Sequence, residues 1–196
     1  MSDRARGPIG VVLAGGAGRR IGGSKAQVLL RGRPLIHYPL AVLRAALDEV
    51  AVVAKGDTEL PELGGVELWI EPDEPRHPLA GILHGLRRAG GRAVLACAAD
   101  MPLITAEAVE LLLGYQHTTA PAVVPTCDGV LEPLFALYRP AALDPLAALG
   151  SELPMRAAVE AIGPRLVEMP RSEVFLNVNT EADLALAEAL LDASRR

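Results

Sequence analysis

The chain predicts an α/β fold in which a mainly parallel sheet is covered by helices on both faces. Two observations carry that expectation. Short apolar runs rich in Val, Ile and Leu alternate along the chain with segments of helical spacing. Those runs are apolar on both faces, as buried parallel strands are, rather than alternating apolar and polar. No linker, internal repeat or low-complexity tract interrupts the 196 residues, so one domain is expected.

Taken in order, "IGVVLA" (9–14) is the first strand, and it runs into a loop of five glycines, two arginines and one lysine. The segment "PLIHYPLAVLRAAL" has helical spacing, although Pro39 threatens its continuity. Strands follow at "EVAVVA" and "VELWI", then a helix at "LAGILHGLRRAG" and a strand at "RAVLACA". The helix "AEAVELLLGYQ" has Thr105 placed as its N-cap. Beyond it "PAVVP" and "PLFALY" read as strands, and the last third is less regular. Thr180 and Asp183 form a capping-box pattern that opens a closing helix at "NTEADLALAEALLDA".

Composition narrows the function. The chain is 51% hydrophobic, yet no apolar run approaches the ~18 residues of a membrane span. Charges and Gly-Pro near the start do not form a secretory signal. Cys97 and Cys127 lack CxxC spacing, and the four histidines include no HExxH. A cytoplasmic globular protein is the expectation. Residues 1–33 hold seven cations against Asp3 alone, a net +6, while the remainder carries −11 of the overall −5. A cationic segment on an acidic chain indicates a local anion site and argues against a nucleic-acid surface. Arg4 and Arg6 read as a solvated basic terminus.

In open sheets of this kind ligands bind beyond the carboxyl ends of the strands, and three candidates lie there. The first is the glycine loop. It is neither a Walker loop, since Ala26 follows Lys25, nor a dinucleotide fingerprint, since Ile21 stands sixth from Gly16. Glycines nevertheless let backbone N–H groups approach an anion, and Arg19, Arg20 and Lys25 add charge. Lys25 is one of only two lysines beside seventeen arginines. The other, Lys55, lies just past a strand on the same edge and reads either as a ligand cation or as a surface lysine.

The second candidate is Asp100, directly after the strand "RAVLACA" and ahead of Met-Pro. Magnesium is held by one or two carboxylates completed by substrate phosphates and water, so Asp100 is the expected metal ligand. The third is "NVNT". Asn177 and Asn179 are two apart, which on a strand puts both amides on one side, suited to a ligand or a metal-bound water.

With these residues in view, "VVLAGGAGRRIGGSK" resembles the signature loop of the nucleotidyltransferase superfamily that activates sugars and cofactors. Within it the chain is similar to the molybdenum cofactor guanylyltransferases, through "HPLAG", "ADMP", "EPLFALY" and "NVNT", over nearly the whole length. The resemblance implies a three-layer α/β/α sandwich with a Rossmann-like, mainly parallel sheet. Its nucleotide-binding half would span about 1–104 and its acceptor half about 105–196. It implies that Leu13, Ala14, Gly15 and Gly16 line the nucleotide, with Lys25 on the triphosphate and Arg19 on the departing pyrophosphate. Asp100 would bind magnesium, Asp73 would contact the nucleoside, Lys55 would fall near the base, and Asn177 and Asn179 would lie on the acceptor side.

His77 stands where the family more often has Gly, and Lys55 where a polar amide is common, so both departures fall on base recognition. LAGG, rather than the LAAG of cytidylyltransferase relatives, favours GTP. The implied reaction joins GMP from GTP to the terminal phosphate of molybdopterin and releases pyrophosphate. Alternatives are a cytidylyl or sugar-phosphate nucleotidyltransferase of the same superfamily and, more remotely, a nucleotide-binding regulator without turnover.

Overall fold

The computed structural model describes residues 7–15, 25–170 and 172–193. The strands are β1 Ile9–Leu13, β2 Leu29–Leu30, β3 Arg33–Pro34, β4 Val50–Lys55, β5 Glu67–Glu71, β6 Val94–Ala98, β7 Ala122–Cys127, β8 Val130–Leu131, β9 Phe135–Tyr138 and β10 Arg165–Glu168. The α-helices are α1 His37–Ala46, α2 Pro78–Arg88, α3 Ala106–Leu113, α4 Leu143–Leu149, α5 Met155–Ala161 and α6 Glu181–Ala193. Eight strands form one sheet in the order β10-β7-β9-β6-β1-β4-β5, with β8 paired to β7. The pairings of β1 with β4 and β6, of β4 with β5, and of β7 with β10 are parallel. β9 runs antiparallel between β6 and β7.

The buried strands divide their side chains between two layers. Val12, Val52, Leu95, Cys97, Val123, Phe135 and Leu137 pack under α1 and α3 through Leu40, Leu43, Val109 and Leu112. Val11, Val53, Trp69, Val94, Ala96, Val124 and Tyr138 pack under α2, α4 and α5 through Leu79, Ile82, Leu86, Leu146 and Val159. Alternate residues of one strand therefore serve opposite faces, which is why the runs read as continuously apolar. In α2, Leu79, Ile82, Leu83 and Leu86 recur at one-face spacing and are all buried. Each such side chain contributes about 1.5–3 kcal/mol by leaving water.

The caps follow sequence logic. Thr105 Oγ1 accepts from Ala108 N (3.3 Å) at the start of α3, and His77 Nδ1 accepts from Leu79 N (3.3 Å) at the start of α2. Pro39 does not break α1, because it falls in the first turn, where its missing N–H has no intrahelical partner to lose. The last third holds three elements that the sequence pattern does not announce: α4, α5 and β10. Each of these helices has seven residues, too few for a clear period, and α4 carries Pro145 in its first turn.

A third, small cluster stands apart from the sheet. Leu30, Leu35, Val178 and Ala187 are buried together, joining the β2–β3 hairpin to α6. Its turn residues, Arg31 (φ 51°) and Gly32 (φ 73°), take the left-handed pair that a two-residue hairpin requires. Arg31 Nη2 donates to Glu188 O (2.9 Å) and to the Asp192 carboxylate, both on α6. This cluster brings the chain around Lys25 beside the segment that carries Asn179.

Candidate functional site

A cavity of about 350 Å³ opens beyond the carboxyl ends of β1, β4, β5 and β6. Leu13, Ala14 and Gly15 enter it from β1, Lys55 from β4, Glu71 from β5, and Ala98, Ala99 and Asp100 from β6. Lys25, Arg76, His77, Gly81 and Leu134 also stand in the wall. Backbone bonds from Ala14 N to Val53 O (2.8 Å) and from Ala99 N to Leu13 O (3.0 Å) hold the strand exits together. Two glycines permit the close packing of this wall. A Cβ on Gly15 would stand 3.0 Å from Glu71 Oε1, and one on Gly81 would stand 3.2 Å from Leu13 Cδ2.

At one side of the mouth three predicted residues converge. Lys25 Nζ donates to Asp100 Oδ2 at 2.7 Å and to Asn179 Oδ1. Two of the three ammonium donors are thus used among the described residues. Both charged side chains remain partly accessible, Lys25 at 21% and Asp100 at 13%. The segment bearing Asn179 is tied down twice. Val178 N donates to Asp100 O (2.9 Å), and Asp183 Oδ2 accepts from Asn179 N (2.9 Å), Thr180 N (2.8 Å) and Thr180 Oγ1 (2.9 Å). The hydrogen bond from the Asn179 backbone, followed by that from the Thr180 hydroxyl, holds the Asp183 carboxyl below its ordinary value. The capping box therefore also orients the asparagine that meets Lys25.

Other expectations fare differently. Residues 177–179 are not a strand, so the premise that both amides face one side does not hold. Asn177 instead donates from Nδ2 to Phe175 O (3.0 Å), and Asn179 Nδ2 donates to Asn177 O (3.2 Å). The Asn177 amide nitrogen thus bonds within its own turn. Gly16 and Arg19 lie outside the described residues. Asp73 is exposed and is not part of the cavity wall.

Lys55 is in the wall, yet it is no surface residue. It is 3% exposed, and Nζ donates to Pro72 O (2.7 Å) and Pro75 O (3.2 Å) while standing 3.5 Å from Glu71 Oε1. Glu71 is the acid that sequence reasoning missed. It is 5% exposed, and its Oε2 has no hydrogen-bond partner among the described residues. Burial pushes its carboxyl up, and the Lys55 ammonium works against that rise. The signal was present: Glu71 follows an apolar strand at the same edge, as Asp100 does. Cys97 is fully buried in β6, and burial pushes its thiol far up, so it serves as core packing.

The chain as a whole has recognisable relatives. A family model described as the MobA-like NTP transferase domain matches residues 10–168. A probable molybdenum cofactor guanylyltransferase of Mycobacterium avium is 39% identical over 191 residues, covering 92% of this chain and 95% of the relative. A molybdenum cofactor guanylyltransferase of Cereibacter sphaeroides is 35% identical over 190 residues, covering 93% of this chain and 96% of the relative. Among solved structures, molybdopterin-guanine dinucleotide biosynthesis protein A from Archaeoglobus fulgidus superposes with a TM-score of 0.77 at 28% identity, covering 94% of this chain and 99% of the other. With the family model spanning most of the chain and these relatives aligned nearly end to end, the chain belongs to the MobA-like NTP transferase family.

Proposed function

We propose that the protein transfers GMP from GTP to the terminal phosphate of molybdopterin, releasing pyrophosphate, with magnesium as cofactor. One observation carries this reading: Lys25, Asp100 and Asn179 meet at the mouth of a cavity on the carboxyl edge of the sheet. The names of the relatives supply the base and the acceptor.

The chemistry asks little of a general base. A phosphate monoester, with a second pKa near ~6, is already largely dianionic at pH 7 and can attack the α-phosphorus directly. What remains is positioning and cancellation of negative charge. Lys25 provides a compact cation for the phosphates, and in our reading Arg19 of the glycine loop adds a second. Leu13, Ala14 and Gly15 give the nucleoside an apolar floor and backbone groups. Magnesium suits the site, since the Asp100 carboxylate keeps Oδ1 as a hard oxygen ligand beside the Oδ2 that Lys25 holds, at a mouth open to substrate phosphates and water. Bound there, it would neutralise charge on the reacting phosphates.

For the base we assign Glu71 the role expected of Asp73. Glu71 Oε2, the carboxylate oxygen without a partner among the described residues, can only accept, and guanine offers it two adjacent donors, N1–H and the N2 amino group. Adenine and cytosine set an acceptor next to their amino group, which faces a carboxylate unfavourably. We read the chain up to about residue 104 as the nucleotide half and the remainder as the acceptor half, where Asn179 lies and Asn177 supports its turn. Among the described residues no helix is long and apolar enough to cross a membrane, and we assign the reaction to the cytoplasm.

The test is thermal melting with GTP, CTP, ATP or UTP, with and without magnesium, followed by an assay of GMP transfer to molybdopterin. Stabilisation by GTP above the others, increased by magnesium, with formation of the dinucleotide, supports the reading. Preference for CTP overturns the base assignment.

A further inference from the structure

We infer that Lys55 is a positioning residue that sets base selection through Glu71, and that it is not a ligand of the nucleotide phosphates. The inference rests on the GTP reading above.

The register of the sheet sets Lys55 at the end of β4 directly beside Glu71 at the end of β5. Its ammonium faces three oxygens: Pro72 O at 2.7 Å, Pro75 O at 3.2 Å and Glu71 Oε1 at 3.5 Å. Three oxygens match its three donors. At 3% exposure it offers no surface to a triphosphate, whereas Lys25 at 21% does. A phosphate reaching Lys55 would have to strip these oxygens and leave two proline carbonyls unpaired, at the cost of their desolvation.

Its partners show what it does instead. Pro72 and Pro75 belong to the loop that leads to Arg76 and His77 in the cavity wall. The same loop is fastened a second time to the segment after β4, where Arg76 Nη2 donates to Asp57 Oδ2 at 2.6 Å. The end of β4 and the segment after it thus both hold the loop that follows Glu71. Lys55 also holds one carboxylate oxygen of Glu71, and with it the direction of the other. That second oxygen has no partner among the described residues, and a Cβ on Gly81 would stand 3.7 Å from it. A buried carboxylate keeps its charge only with a counter-charge beside it, and Lys55 is that charge.

A titration calorimetry series with magnesium tests this, using GTP, ITP, which lacks the N2 amino group, and GMP. The proteins are the wild type, Lys55→Met, Glu71→Gln and the double variant. In the wild type GTP binds about tenfold or more tighter than ITP, the value of one hydrogen bond to a charged group. Lys55→Met brings that ratio close to one and weakens GTP and GMP by the same factor. Adding Lys55→Met to Glu71→Gln leaves the ratio unchanged, because the residue through which Lys55 acts is already neutral. The comparison of Glu71→Gln with the double variant stands even where Lys55→Met alone fails to fold, since the double variant strands no buried charge.

Lys55 is a phosphate ligand, and the inference falls, where Lys55→Met weakens GTP far more than GMP and keeps the GTP-to-ITP ratio. The inference also falls where the double variant loses discrimination beyond Glu71→Gln. A wild type that binds no guanine nucleotide removes the GTP reading, and this inference with it. GTP binding with the wrong pattern across the variants removes the inference alone.

Discussion

Lys25 and Asp100 lie seventy-five positions apart in the chain and meet at 2.7 Å, with Asn179 on the same ammonium. Each belongs to a different part of the fold: the short 3-10 turn Lys25–Gln27 ahead of β2, the exit of β6 and the turn before α6. Their meeting places a cation and a carboxylate at the mouth of the cavity, where the proposed reaction needs negative charge cancelled.

Removing either should cost turnover with little cost to folding. Lys25→Ala and Asp100→Ala are each expected to lower the magnesium-dependent rate by ~10²–10³, as for other electrostatic donors. Steady-state assays beside melting curves check this. Near wild-type turnover in Asp100→Ala would remove it from metal binding.

Nucleotide binding should depend on pH through Glu71. Its carboxyl titrates above the ordinary 4.5 because burial penalises the charge. In the proposed contact with guanine the ionised form is the acceptor. GTP affinity is therefore expected to fall as pH drops through a range higher than an exposed glutamate would give. Glu71→Gln should flatten that fall. Titrations across pH read it directly, and an unchanged profile in the variant assigns the dependence elsewhere.

The capping box contributes stability with the opposite sign of shift. The Asp183 carboxyl is lowered below its ordinary 3.8, so its stabilisation is present above that value and is lost as pH falls through the lower folded one. Thr180→Ala should destabilise by about 1 kcal/mol at neutral pH. Asp183→Asn should lower Tm at pH 7, with its melting curve approaching the wild type's in strong acid. Because Asn179 is held by the same carboxylate, turnover should drop in Asp183→Asn as well. Loss of stability with unchanged kcat would separate the cap from the site.

Gly15 is expected to accept a side chain only at a cost. A Cβ there meets Glu71 Oε1 at 3.0 Å, in a wall whose partners are pinned by Lys55. Gly15→Ala should cost about 1–3 kcal/mol through overpacking. It should also weaken GTP binding, because the atom that must yield belongs to the base-reading carboxylate. Calorimetry with GTP checks it, and full affinity would show that Glu71 can shift without consequence.

Much of the fold was legible in advance because it is driven by local apolar pattern. The strands β1, β4, β6 and β9 and the helices α1, α2, α3 and α6 follow from hydrophobic spacing and from caps such as Thr105 and Thr180. The pattern is lost for α4, α5 and β10, whose four to seven residues hold too little periodicity to stand out. Pro39 misled in the other direction, since a proline is harmful only where its N–H would have been needed.

The site divides along the same line. Residue type and the rule that ligands bind at the carboxyl edge were enough to choose Lys25 and Asp100, because a lysine in a glycine loop and an acid after a buried strand are local facts. What Lys55, Glu71, Asp73 and Asn177 do depended on neighbours distant in sequence. Only the pairing of β4 with β5 sets Lys55 beside Glu71 and within reach of two proline carbonyls, which no local pattern in the sequence announces. Only the turn before α6 decides that Asn179 faces Lys25 while Asn177 bonds to its own backbone. Local pattern is written residue by residue, whereas the partner of a buried charge is decided by which strands lie side by side.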